Sequence, residues 1–254
     1  MNELKFEILN NLVELTRSIG APEKDLVILG DGNTSAFISE RSFWVKASGA
    51  QMNNIDNSGF TEVYTEKALD VLKHESLTDQ ELKQVFADAR VDQNGKHPSI
   101  ETVFHALGLT KCDAKFVVHT HPIAVNSILC SQQARKALGG HLFSESALYL
   151  GPEGIIIDYA DPGLPIARAL IREIDRYQQK WGQNPRIFYL LNHGMVALGQ
   201  TPKEVENITA MAVKAARILL GTYTLGGPHF ISDDDVKRVI TRPDEEFRRK
   251  LANQ

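Results

Sequence analysis

The chain has 254 residues, with 43% apolar and 24% charged residues and a formal net charge of −4. That is ordinary soluble globular composition. Without a dense Lys/Arg stripe, nucleic acid is not an expected partner. No window approaches the ~18 uninterrupted apolar residues of a membrane span. The start, Met1-Asn2-Glu3-Leu4-Lys5, does not read as a secretory signal. Cys112 and Cys130 make no disulfide framework and no C-x-x-C pair. They are expected as reduced thiols in a cytoplasmic protein.

No repeat or long Pro/Gly/Ser linker divides the chain, so one domain is expected over 1–254. Residues 3–19 read as an amphipathic helix, with Phe6, Leu9, Leu12, Val13 and Ile19 at helical spacing. Short strands are expected at Leu26–Leu29 and Ser42–Lys46, with the turn-forming Gly30-Asp31-Gly32-Asn33 between them. Helical patterns fit 66–74 and 78–89, and another helix begins after Pro98 with Ser99 near its start. Phe116-Val117-Val118 reads as a buried strand running into His119. Residues 163–181 are helical. Ile187–Leu191 is a strand that enters Asn192-His193-Gly194. The next helix carries a full start signal in Thr201, Pro202 and Glu204. The tail from 232 onward reads as one or two short charged helices, within a helical tail over 228–254. Strands and helices alternate, which is the α/β class.

The sharpest local feature is His119-Thr120-His121-Pro122. On a continuing strand, residues i and i+2 share a side, so both imidazoles face one point. His193 arrives at the end of a second buried strand, with Gly194 allowing close approach. Three imidazoles with an open position suit a catalytic divalent metal, zinc first among them. A short H-x-H motif alone is more often two unrelated histidines than a metal site. His97 and His105 flank Glu101 and suit a supporting role. His74, His141 and His229 read as structural or exposed.

Four segments in order carry a resemblance. They are Gly30-Asp31-Gly32-Asn33-Thr34-Ser35, then Val45-Lys46-Ala47-Ser48-Gly49, then Pro98-Ser99-Ile100-Glu101 with His105 leading to His119-Thr120-His121-Pro122, and last Asn192-His193-Gly194 with Gly199 and Thr201. Together, over about residues 5–222, the chain resembles the class II aldolase/adducin family. Details such as Trp44-Val45-Lys46-Ala47-Ser48-Gly49, His97-Pro98-Ser99 and Tyr159-Ala160-Asp161-Pro162-Gly163 are most similar to the aldolase part of bifunctional rhamnulose-phosphate aldolase/dehydrogenases. Fuculose-phosphate aldolase is also similar. The sequence has no G-x-G-x-x-G loop after this region, so no nicotinamide cofactor is expected.

The resemblance implies a three-layer α/β/α domain around a mainly antiparallel sheet. It implies a Zn2+ site (Mn2+ or Co2+ also suit it) at His119, His121 and His193, with Glu101 as catalytic acid/base. It implies phosphate binding by Asn33, Ser48, Gly49 and Ser99, with Lys46 as an added cation. From the residues alone, Gly32-Asn33 reads as a plain turn and Ser99 as a plain helix cap. The implied activity is a class II aldolase, an aldehyde-lyase of carbohydrate metabolism. It would cleave a phosphorylated ketose to dihydroxyacetone phosphate and an aldehyde through a metal-stabilised enediolate. A sugar-phosphate dehydratase, 4-epimerase or decarboxylase is the alternative within the family, and a non-catalytic adducin-like scaffold the non-enzymatic one. A homotetramer is implied too. Several family aldolases take a proton-donating Tyr from a neighbouring subunit. No motif places it here, and Tyr149, Tyr159 and Tyr223 qualify by position only.

Overall fold

The computed structural model describes residues 3–244 together with Phe247 and Leu251. One seven-stranded sheet organises it. The strands are β1 (Asn33–Ser39), β2 (Ser42–Lys46), β3 (Phe60–Tyr64), β4 (Phe116–Thr120), β5 (Ile155–Ile157), β6 (Ile187–Leu190) and β7 (Gly194–Gly199). Their order is β3-β2-β1-β4-β7-β6-β5. Every pair is antiparallel except β5 with β6. The crossover helix between these two strands accounts for that exception.

The helices are α1 (Glu3–Ile19), α2 (Thr65–Leu69), α3 (Asp79–Asp88), α4 (Thr102–Thr110), α5 (Ile123–Leu129), α6 (Ala134–Ala137), α7 (Ser144–Leu150), α8 (Leu164–Trp181), α9 (Pro202–Tyr223) and α10 (Asp233–Thr241). They cover both faces of the sheet. Val117, Phe188, Val196 and Leu198 point into one core with Val103, Phe104 and Leu107 of α4 and Leu170 and Ile174 of α8. Their strand neighbours Phe116, Val118, Ile187, Met195 and Ala197 point into the other, with Leu12 of α1, Ile128 of α5 and Ile208 and Ala212 of α9. This alternation is the period-2 geometry of strands. The expected three-layer α/β/α architecture with a mainly antiparallel sheet is therefore present.

Local helix starts reflect their chemistry. Thr78 caps α3 in a reciprocal capping box with Glu81. The Thr201 hydroxyl accepts the Glu204 amide at 3.0 Å at the start of α9, and Pro202 lacks only an N–H that the first turn does not use. The reading of 66–74 resolves into α2 and then a 3-10 turn over Asp70–Lys73. Ser99 lies just ahead of α4, whose N-cap is Glu101. Leu191 sits in the turn after β6 rather than in the strand. Of the tail, α10 is present, and most residues beyond Asp244 lie outside the described residues.

One strand expectation is overturned. Leu26–Leu29 forms a loop, with Leu29 left-handed at φ 56° and Ile28 and Leu29 at 71% and 82% exposure. The strand is β1, which starts at Asn33, inside the stretch read as a turn. Among the described residues no helix is long and apolar enough to cross a membrane.

Candidate metal centre

β4 carries the first ligand candidate. Val117 and His119 share a face, so His119 is buried beneath α4 with Phe104 edge-on at 5.2 Å between ring centroids. His121 lies just past the end of the strand, where its N–H donates to the Leu26 carbonyl at 2.9 Å. His193 sits in the turn between β6 and β7. Asn192 supplies that turn's left-handed residue at φ 57°, which Asn tolerates better than most side chains. The Asn126 amide donates to the His193 carbonyl at 2.9 Å and fixes the turn to α5.

The three rings converge, with centroids 4.6, 4.9 and 5.2 Å apart. One nitrogen from each lies within 4.8 Å of the others. Nδ1 of His119 is 2.9 Å from the Met195 carbonyl, which can only accept, so that nitrogen carries the proton. Nδ1 of His121 is 3.2 Å from a carboxylate oxygen of Asp31. Burial lowers the pKa of His119 to about 3; burial and the neighbouring His193 ring also push that of His121 down. Both rings are therefore neutral near pH 7. Their Nε2 lone pairs face each other at 2.8 Å. A shared cation relieves that repulsion, and neutral imidazoles whose far N–H is held by an acceptor are the ligands a divalent metal prefers. The donor set fits the metal.

Glu101 reaches in from the N-cap of α4. Its Oε1 lies 3.0 Å from His193 Nε2 and 3.6 Å from His119 Nε2. Burial opposes its charge, but the His119 and His193 rings in their protonated form, together with hydrogen bonds from His193 and the Asn33 amide, outweigh that and hold its carboxyl below the usual range. Asn33 stands opposite His119 across the β1–β4 ladder, so their side chains share a face. Its amide donates to Glu101 Oε2 at 2.6 Å and to Ser99 Oγ at 3.2 Å. Its carbonyl accepts from His105 Nε2. That leaves His105 Nδ1 to accept from the Ser35 hydroxyl at 2.8 Å. His105 is fully buried, and burial lowers its pKa to about 3, so it holds this chain as a neutral ring.

Asn33 and Ser99 are thus in contact with the Glu101 cluster. Lys46 is 2% exposed, and its ammonium donates to the Ala50 carbonyl at 2.5 Å. Burial pushes its pKa down, while the charges of Glu101 and Asp31 pull the other way. The loop after β2 runs beside the loop before α4: Ser99 N–H donates to the Lys46 carbonyl and Ser48 N–H to the His97 carbonyl. Ser48 and Gly49 form an exposed turn, with Gly49 at φ 78°. His97 itself is exposed, as are His74 and His229. His141 is buried, with its ring nitrogens against Ser146 Oγ and the Pro152 carbonyl. Tyr159 and Tyr223 are exposed and Tyr149 is half-buried.

Three contributors carry no mark that singles them out in the sequence: Asp31, Asn126 and the Met195 carbonyl. Asp31 lies two positions before Asn33, and that proximity is the available signal. The other two act across the fold and leave no local trace.

Comparison with known proteins agrees with this geometry. A family model described as "Class II Aldolase and Adducin N-terminal domain" matches residues 10–220. An "uncharacterized oxidoreductase", YuxG of Bacillus subtilis (strain 168), is 25% identical over 197 residues, 74% of this chain. The matched region is 26% of that protein, so the chain spans about a quarter of its length. The solved N-terminal class II aldolase domain of a conserved protein from Thermoplasma acidophilum is 27% identical, with a TM-score of 0.66 over 84% of this chain and 93% of that one. A solved L-fuculose 1-phosphate aldolase shares the fold at 18% identity, with a TM-score of 0.68 over 95% of this chain and 96% of that one. The chain belongs to the class II aldolase and adducin N-terminal domain family.

Proposed function

We propose that this protein is a zinc-dependent class II aldolase that cleaves a phosphorylated ketose to dihydroxyacetone phosphate and an aldehyde. The observation that carries the reading is the convergence of His119, His121 and His193 on one point with the Glu101 carboxylate beside them. His119, His121 and His193 would hold a divalent cation, which would supply Lewis-acid polarisation of the ketose carbonyl.

The chain's own groups do the rest. Glu101 is ionised and buried against the ligands, so it accepts a proton from the carbon beside the carbonyl in the condensation direction and returns it during cleavage. Asn33 fixes Oε2, and Oε1 lies beside the His193 and His119 rings, where the proposed substrate would meet it. Asn33, Ser48, Gly49, Ser99 and Lys46 form the proposed phosphate subsite. The contact of Asn33 with Ser99 and the buried ammonium of Lys46 alongside support it. A cytoplasmic homotetramer is part of this reading through the family resemblance.

Incubating zinc-replete protein with a set of ketose 1-phosphates, and coupling any dihydroxyacetone phosphate to NADH oxidation, tests it. Release from at least one substrate is expected, together with a roughly 10²–10⁴-fold loss in Glu101→Gln, the usual range for a general base. No release from any of them overturns the aldolase reading. The same carboxylate also suits loss of water next to the carbonyl of a sugar phosphate, because both reactions move a proton at that carbon. Mass analysis of products separates dehydration, which gives a product lighter by one water, from cleavage.

A further inference from the structure

We propose that Asp31 is the positioning residue that sets the tautomer and orientation of His121, through a strap formed by Leu26–Asp31. The inference rests on the metal reading above and goes beyond its ligand set.

Asp31 uses both carboxylate oxygens. Oδ2 faces His121 Nδ1 at 3.2 Å, and Oδ1 accepts the Ile28 N–H at 2.5 Å. The Asp31 N–H closes the loop onto the Ile28 carbonyl at 3.2 Å. The strap is fastened a second time, since the Leu26 carbonyl accepts the His121 N–H. One short loop therefore grips both the backbone and the ring of His121.

The loop is held against a local preference. Leu29 is left-handed at φ 56° and its side chain is 82% exposed, so no packing explains the conformation. A Leu in that region brings its Cβ too close to the following carbonyl oxygen and is disfavoured. The hydrogen bonds around Asp31 are what hold the turn closed. Its consequence lies at the ring, where a carboxylate on Nδ1 keeps the proton there and leaves Nε2 as the lone pair that meets His119.

His119 and His121 are held differently. His119 rests on a backbone carbonyl, which no substitution at that position removes. His121 is not within a strand, so nothing in the sheet ladder fixes its ring. Its orientation depends on a side chain two residues before Asn33. Asp31 thereby joins the loop read as a plain turn to the metal centre.

The test uses the full chain in four forms: wild type, Asp31→Ala, Asp31→Asn and Leu29→Gly. Zinc affinity is read by competition with a chromophoric chelator, with a thermal melt to verify folding. In the metal-free protein, the His121 tautomer is read from its ring 15N shifts. Asp31→Ala is expected to bind zinc about 10–100-fold more weakly, the usual effect of losing a partner to a ligand histidine. It should also lose the pure Nδ1–H form. Asp31→Asn keeps an acceptor and should lose less, and it carries the comparison if the alanine variant does not fold. Leu29→Gly relaxes the turn without touching the carboxylate and should bind zinc as wild type does. An Asp31→Ala protein with affinity within about twofold of wild type and an unchanged tautomer overturns the inference. Failure of the wild type to bind zinc overturns the metal reading instead, and the tautomer measurement still decides what Asp31 does to the ring.

Discussion

Gly194 lies against His121: a Cβ built on Gly194 falls 2.5 Å from His121 Cδ2, 2.6 Å from the Thr120 carbonyl oxygen and 3.1 Å from His119 Cε1. The first residue of β7 is thus the floor on which the His121 and His119 rings rest. Gly194→Ala should displace them, because the carbonyl is backbone and cannot step aside. The expected result is a loss of about 1–3 kcal/mol in urea unfolding, typical of overpacking, together with weaker zinc binding. A variant with wild-type stability and zinc affinity contradicts this geometry.

Asn33 and Glu101 form a tight link between the sheet and the proposed acid/base carboxylate, at 2.6 Å. Asn33→Ala leaves a buried carboxylate oxygen without its donor, which costs about 1–3 kcal/mol, more for charged groups. Asn33→Asp instead places a second carboxylate there. Like charges raise each other's pKa, so the acidic limb of kcat/KM against pH should move to higher pH. An acidic limb that stays in place would rule out Glu101 as the group it reports.

Lys46 is buried beside Glu101 and the loop before α4. Lys46→Met should raise KM for a phosphorylated substrate by roughly 10–100-fold, the loss of a charge-assisted contact of about 1.5–3 kcal/mol. kcat should change less. Stability should fall, because the Ala50 carbonyl loses its donor and the buried Glu101 carboxylate a nearby counter-charge. Steady-state kinetics with an unchanged KM would remove Lys46 from the phosphate subsite.

The metal-free protein should be acid-sensitive, and the buried rings set the sign. His105 and His119 titrate near 3 in the folded chain because burial disfavours their charged form, against 6.5 for an ordinary histidine. Below pH 6.5 the unfolded chain takes up protons that the folded one refuses. Stability is therefore full above about pH 6.5 and falls as the pH drops toward 3, by up to about 1.4 kcal/mol per pH unit for each ring. The depressed Glu101 carboxyl acts in the same direction at the acid end. Denaturant melts from about pH 7.5 to about pH 4.5 measure the slope, and His105→Gln should flatten it by about one proton. A slope that is the same in both proteins would mean that His105 is not held neutral.

His119, His121, His193 and Glu101, which the structure brings together, are legible in the sequence as a group because apolar strands and a helix start deliver them, and those patterns are local. β1 is not. Asn33, Thr34 and Ser35 are polar yet buried, Asn33 and Ser35 in the hydrogen bonds around Glu101 and His105 and Thr34 against Thr16 of α1, so the alternation that marks a strand is missing. Leu26–Leu29 misleads in the opposite way: it is apolar, but its outer residues face solvent in the strap over His121. Partners such as the Met195 carbonyl are beyond reach, because a backbone acceptor has no residue type to read.

β4 is the middle strand of seven, and the turn that carries His193 joins the two strands β6 and β7 on one side of it. Amides in such a strand exchange with solvent only when most of the sheet opens. The convergence of the three histidines is therefore insured by global stability, whereas the outer strands β3 and β5 can fray without disturbing it. Sequence drift at those edges can therefore alter the outer surface while the arrangement of the histidines stays the same.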